Sequence, residues 1–246
     1  MHAPNEELIL RRLRPNDVVL DIGGWARPFN RANHVMDHEP FDTRGFYGLP
    51  PQGGDREHFD RDTWICRDIC DHRPYPFGAK EIDFVICSHT LEDVRDPLWV
   101  CSEMVRIAKA GYLEVPSRLA ESSRGIEPGQ VGWSHHRWLI DIEGGHVNFL
   151  MKYHTIHSHW RLSFPERFFR RLPDERKVQW LFWDDSFSWS ETLLYGVGTI
   201  DAELERYVRE RRPYPSWLVR ADRSLRTAWS LPRRAVAKVR RIASGG

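Results

Sequence analysis

Val18-Val19-Leu20-Asp21-Ile22-Gly23-Gly24-Trp25 is an apolar run that reaches an acidic residue and then two glycines. Such a run, closed by a glycine turn, reads as a central strand of a parallel sheet, covered on both faces. The glycines allow a tight turn and a close backbone approach to a ligand. In open α/β sheets the ligand lies at that carboxyl-end crevice, so a nucleotide-like cofactor is expected there.

The flanking segments extend this reading. Asn5 to Arg14 is a helix candidate with Leu8, Ile9 and Leu13 on one face, and Pro15-Asn16-Asp17 ends it. After Gly24, Pro28 suits the first turn of a helix. His34-Val35-Met36-Asp37 is a second strand ending in an acid, the place from which ribose hydroxyls are held in dinucleotide folds. Phe41 to Arg61 is a long loop. Trp64 to Ile69 is a third strand carrying Asp68, and Ile82 to His89 a fourth. Leu98 to Ala108 has helical periodicity with Gly111 as its cap, and Tyr112 to Pro116 is a fifth strand. Strand and helix thus alternate, which predicts an α/β, doubly wound, mostly parallel sheet.

The residues of this first half resemble the class I, Rossmann-like, S-adenosyl-L-methionine (SAM) methyltransferases, of the type 11-like kind that acts on small molecules and glycans. Asp21 and Gly23 match that family's first motif, followed by Gly24, whereas Trp25 and Arg27 stand where small residues are common. The match is most specific after strand four, where Cys87-Ser88-His89 leads through Leu91-Glu92-Asp93-Val94 to Asp96-Pro97, with Asp93 in place of the family's histidine. The resemblance covers roughly residues 5–116. It implies a seven-stranded sheet and SAM as cofactor, held by Asp21, Gly23, Gly24, Asp37, Asp68, Ile69, Ser88 and His89. Asp37 would serve the ribose, and Asp68 and Ile69 the adenine; a turn-capping role for Asp68 is equally open.

From Ser117 onward the resemblance fades, as a substrate-reading part would. Residues 116–165 form an insertion in which Trp138–Glu143 and His146–Leu150 flank Gly144-Gly145, a β-hairpin signal. Six of the twelve histidines fall between 135 and 159. A metal site would draw on His135, His136, His146 and Asp141 or Glu121. Strand alternation, however, puts His135 and His136 on opposite faces, so no metal is expected. A general base is preferred, because a hydroxyl acceptor has to lose a proton: His89, His135 and His136 are the candidates. Glu114, Glu121 and Arg118 could orient sugar or carboxylate groups, and Trp133 and Trp138 could stack on a ring. Residues 178–183 and 192–195 are expected as strands six and seven, an antiparallel pair at the sheet edge. Asp201 to Arg212 reads as a helix capped by Asp201.

Hydrophobic residues make up 41% of the 246, enough for a real core, and no stretch approaches the length of a membrane span. Met1 to Leu13 lacks the apolar centre of a signal peptide, so a cytoplasmic protein is expected. Cys66, Cys70, Cys87 and Cys101 are too few and scattered for a disulfide scaffold, and read as free, mostly buried thiols. Charge divides the chain. Residues 206–246 hold twelve Lys or Arg against Glu210 and Asp222, a net of +10, against +1 overall. Residues 1–205 therefore read as the cofactor domain and 206–246 as a basic extension, helical or disordered. That extension, from Arg220 to Arg241, is open to three readings: a solvated tail, a peripheral membrane contact, or a nucleic-acid arm, the last disfavoured by the lack of a nucleic-acid module. The expected function is methyl transfer to an oxygen of a small molecule or glycan. Its competitors are a nicotinamide-dependent oxidoreductase, although no Gly-x-Gly-x-x-Gly follows the strand, and a non-catalytic partner subunit whose cofactor niche is filled by Trp25 and Arg27.

Overall fold

The computed structural model describes residues 1–54 and 56–212. A six-stranded sheet forms its centre, in the order β3-β2-β1-β4-β5-β8. Its strands are β1 (Val19–Ile22), β2 (His34–Asp37), β3 (Trp64–Cys66), β4 (Ile82–Ser88), β5 (Ala108–Pro116) and β8 (Val178–Asp184). The first five are parallel and β8 is antiparallel to β5. All four residues of β1 are buried. This is why its apolar run is unbroken: Leu20 and Ile22 face one core, and Val19 faces another with Phe84 and Ile86 of β4.

The two faces are covered differently. On one lies α1 (Ala3–Arg12), which drops Ile9 among Val19, Phe29, Val35 and Tyr112. On the other lies α2 (Pro97–Ile107), started by Asp96, whose carboxylate accepts from Trp99 N at 3.0 Å, and by Pro97 in its first turn. α2 buries Val100, Cys101, Met104 and Ile107. A second, three-stranded sheet shares this layer: β6 (Trp138–Glu143), β7 (His146–Met151) and β9 (Ser188–Thr192). Its Ile140, Val147 and Phe149 join the core formed by Leu113, Val115 and Trp183. Behind it packs α5 (Val197–Arg211), through Ile200 and Leu204 onto Leu139, Leu150 and Ile156. Two short helices, α3 (Arg118–Glu121) and α4 (Glu166–Arg171), complete the described residues.

Several expectations are corrected. Among the described residues the sheet has six strands, not seven, because after β8 the chain turns at Asp185 (φ 62°) and β9 pairs parallel to β7 instead. Ser190 and Thr192 of β9 both donate to the Asn148 side chain of β7, which fixes that register. The strand expected at residues 192–195 is realised only at Thr192. Double winding is incomplete: among the described residues only the β4–β5 crossover is an α-helix, and no α-helix lies between Pro28 and β2. That connection is held instead by Phe29 N, which donates to Asp21 Oδ2 at 2.9 Å. Gly111 is no helix cap. It lies inside β5, where a Cβ would stand 2.6 Å from the Trp183 ring and 2.7 Å from Val85. α5 begins at Val197, with Gly196 rather than Asp201 at its cap position; the Asp201 carboxylate accepts from Thr155 Oγ1 at 2.7 Å. The hairpin is as read, with Gly144 and Gly145 both at positive φ (56° and 80°), the I′ turn geometry.

The boundary expected after residue 205 falls within α5, and the basic stretch Arg220 to Arg241 lies outside the described residues. No described helix is long and apolar enough to cross a membrane. All four cysteines are free, Cys66 exposed and the other three buried.

Candidate functional site

A cleft of about 630 Å³ opens at the carboxyl ends of β1, β2 and β4. Its floor is made by the β1 turn. Gly23 (φ 76°) and Gly24 are required there by packing: a Cβ on Gly23 would stand 2.1 Å from Thr90 Oγ1, and one on Gly24 2.3 Å from Asp21 Oδ2. Asp21 is a turn-former, since its carboxylate accepts from Phe29 N, and burial raises its pKa to about 7. Asp37 accepts from Trp25 N (3.0 Å) and Glu39 N (2.9 Å), and burial again raises its pKa. Asp68 plays the turn role left open for it, accepting from Cys70 N at 2.8 Å, and also pairs with Arg95. Ile69 packs beside it in the cleft lining. Ser88 Oγ, at the end of β4, is buried without a hydrogen-bond partner and faces the same space.

Trp25 and Arg27 also line the cleft but do not fill it. Trp25 Nε1 donates to Thr43 Oγ1 and its ring stacks on Phe46, while Arg27 Nε donates to the Pro50 carbonyl. Both side chains are therefore drawn onto the 41–54 loop, whose Tyr47, Leu49 and Gln52 close one side of the cleft.

His89 follows β4 in a left-handed conformation (φ 54°). Its Nε2 lies 2.9 Å from Glu114 Oε1 and its Nδ1 3.4 Å from Glu92 Oε1. Burial alone would lower its pKa, but the two carboxylates outweigh it and raise the pKa to about 9. Glu114 is held down to about 2, burial being outweighed mainly by His89. An imidazolium locked between two buried carboxylates holds its proton at neutral pH.

The opposite wall comes from the second half of the chain. Arg137 N donates to the Glu92 carbonyl (2.7 Å) and Trp138 Nε1 to the Val94 carbonyl (2.8 Å), which docks the 132–137 segment on the residues after β4. His135 and His136 lie in a turn that precedes β6, not in a strand. The strand-alternation reason for separating them is overturned. Their rings meet edge to face at 4.4 Å, and their Nε2 atoms lie 4.0 and 3.7 Å from Asp93 Oδ1. Behind His136 runs a buried chain: Nδ1 to Glu121 Oε1 at 2.6 Å, Glu121 Oε2 to Lys152 Nζ at 2.7 Å, and Lys152 Nζ to the Trp133 carbonyl at 2.6 Å. Burial pushes the His136 pKa down and Glu121 pushes it up, with a net rise. Gly132 (φ 63°) admits the turn, since a Cβ there would stand 2.5 Å from Glu121 and 2.7 Å from Lys152 Nζ.

Asp21, Gly23, Gly24, Asp37, Asp68, Ile69, Ser88, His89, His135 and His136 thus share one cleft lining, with Trp133, Glu92 and Asp93 beside them. Other candidates fall elsewhere. Arg118 is bound to Asp141 (2.7 Å) and Glu203 (3.0 Å) under the Tyr207 ring, outside the cleft. His146 bonds Ser188 and Ser190 on the second sheet. Trp138 is turned to Val94 rather than to a ligand. Glu114 supports His89 from below. Lys152 escaped the sequence reading because no local pattern marks it; Asp93 was visible as the departure from the family's histidine.

No protein-family model matches the chain, and no curated protein matches it. Solved structures similar to it include a Haloferax volcanii complex between the Trm112 methyltransferase activator and a candidate methyltransferase (20% identity, 45% of this chain and 50% of that one, TM-score 0.33). Others are a SAM-dependent methyltransferase from Aquifex aeolicus (16%, 46% and 65%, 0.30) and SAM-dependent methyltransferases from Methanosarcina mazei (14%, 55% and 85%, 0.36). The chain spans half to under two thirds of the first two. It is the cleft itself, rather than these likenesses, that carries the chemistry.

Proposed function

We propose that this chain is a SAM-dependent methyltransferase whose acceptor is an oxygen of a polar ring, in a small molecule or glycan. The observation that carries the reading is one cleft with two chemically distinct sides. The floor offers the glycine turn, Asp37, Asp68 with Ile69, and the unpartnered Ser88 hydroxyl, a set that fits a nucleoside with ribose hydroxyls and a flat base. The volume lies within the range of about 300–1,000 Å³ common to small-molecule sites. When bound, SAM supplies a methyl group on a positively charged sulfur. The chain's own residues hold and orient the two reactants, which is the larger part of the task when the donor is already reactive. Trp133, stacked on His136 at 5.1 Å, offers a flat apolar surface for a ring, and Asp93, His135 and His136 face its hydroxyls, where the proton departs.

Melting in the presence of S-adenosylhomocysteine, with NADH as the control, tests this. A ligand that binds only the native state raises the melting temperature. A rise of several degrees with S-adenosylhomocysteine alone is expected; a response to NADH alone favours an oxidoreductase, and no response to either favours the non-catalytic reading. Contact of the basic 220–241 stretch with anionic lipid is a separate proposal. Co-sedimentation with phosphatidylserine vesicles that fades as salt is raised supports it, and no sedimentation removes it.

A further inference from the structure

We propose that Asp93, His135 and His136 bind one divalent transition-metal ion on the acceptor wall, through the two Nε2 atoms and an Asp93 carboxylate oxygen. The three side chains come from two segments far apart in sequence and present their ligand atoms within 4.8 Å of one another. Ligands about 2.1 Å from an ion at 90–109° stand roughly 3.0–3.4 Å apart. The observed 3.7 and 4.0 Å from Asp93 Oδ1 to the imidazoles thus need only a small closing movement of side chains. Those same distances are too long for hydrogen bonds, and Asp93 Oδ1 is buried with no donor. The group is gathered without being satisfied.

The surroundings resemble a metal centre's outer layer. A metal-bound histidine commonly donates its other ring nitrogen to a carboxylate, which fixes its orientation. His136 does this: Nδ1 is held by Glu121 at 2.6 Å, and Glu121 is itself fixed by Lys152, so Nε2 is left for the cleft. His135 Nδ1 has Glu127 Oε1 at 3.9 Å. Two imidazoles and one carboxylate suit zinc, iron or manganese, with positions left open. As His135 is 58% exposed and all three residues line the cleft, those positions face the acceptor. An acceptor oxygen bound to such an ion loses its proton more readily. That role rests on the methyl-transfer reading; the existence of the site does not.

The test uses full-length protein without a histidine tag, stripped with chelator, reloaded with Zn²⁺, desalted and assayed by elemental analysis, with a parallel Co²⁺ titration followed by visible absorption. About one ion per chain is expected. His135→Ala and Asp93→Asn should each weaken Co²⁺ binding at least tenfold, Glu121→Gln about 10–100-fold as an orienting residue, and His146→Ala not at all. Melting curves check that each variant folds; His135, being exposed, is the safest. Failure to retain an ion, or retention that His135→Ala leaves unchanged, overturns the proposal. The S-adenosylhomocysteine melting shift, measured on the same samples, separates the two readings: a shift without metal removes only the ion, and metal without a shift removes only the cofactor.

Discussion

The floor and the wall of the cleft are held by different means. On the floor, Gly23 and Gly24, Asp21 and Phe29 are near neighbours in sequence, and the turn is set by backbone dihedrals and short-range bonds. On the wall, His136, Glu121 and Lys152 are brought together from a turn, the end of α3 and the end of β7. The floor is therefore sensitive to steric change at single positions. The wall rests on a buried charge chain, and removal of one member is expected to cost more than its own contacts.

That contrast is open to attack at several points, taken from the largest effect downward. Lys152→Met leaves Glu121 buried without its cation, and breaking a buried pair from one side costs about 3–5 kcal/mol. Denaturant unfolding should show a loss of that order; a loss under about 1 kcal/mol would mean the wall does not depend on the chain. Gly23→Ala puts a Cβ against Thr90 and forces a non-glycine residue to φ 76°. The combined strain and overpacking are worth about 2–4 kcal/mol. Adding Thr90→Ala should recover part of that loss, because it removes the Oγ1 and Cγ2 atoms at 2.1 and 2.4 Å. No recovery would place the cost in the backbone alone.

Asp37→Asn should weaken S-adenosylhomocysteine binding about tenfold, the scale of one charge-assisted hydrogen bond. Calorimetry showing unchanged affinity removes Asp37 from the ribose role and leaves it as a cap for Trp25 and Glu39. The smallest effect is a change of slope. His89 has an ordinary pKa of 6.5 and a folded one of about 9, so its contribution is complete below pH 6.5 and lost as pH rises through 9. Glu114, ordinarily at 4.5 and held at about 2, contributes fully above 4.5 and loses that contribution as pH falls through 2. Both are in force between 4.5 and 6.5. His89→Gln should therefore flatten the decline in melting temperature between pH 6.5 and 9; an unaltered decline would show that the pair contributes nothing to stability.

The same division explains what was readable in advance. The five parallel strands, the acids at their ends and the hairpin glycines were legible, because burial on both faces demands apolar runs and positive φ demands glycine. Double winding was over-read: Pro28 suits a helix start, but Asp21 captures Phe29 N first and the connection closes as a loop. Strand seven failed because edge pairing is decided by which partner is free, and β7 offered Asn148 to Ser190 and Thr192. The separation of His135 from His136 rested on one assumption, that they lie in a strand; ahead of β6, outside any strand, their adjacent side chains converge.

By itself, then, the sequence determined the parallel sheet and the position of the cleft, since both follow from periodicity and glycine placement within short windows. The tertiary structure decided which histidine lies between Glu92 and Glu114, and which two meet over Asp93. Those outcomes depend on distances between side chains that the chain brings together only on folding.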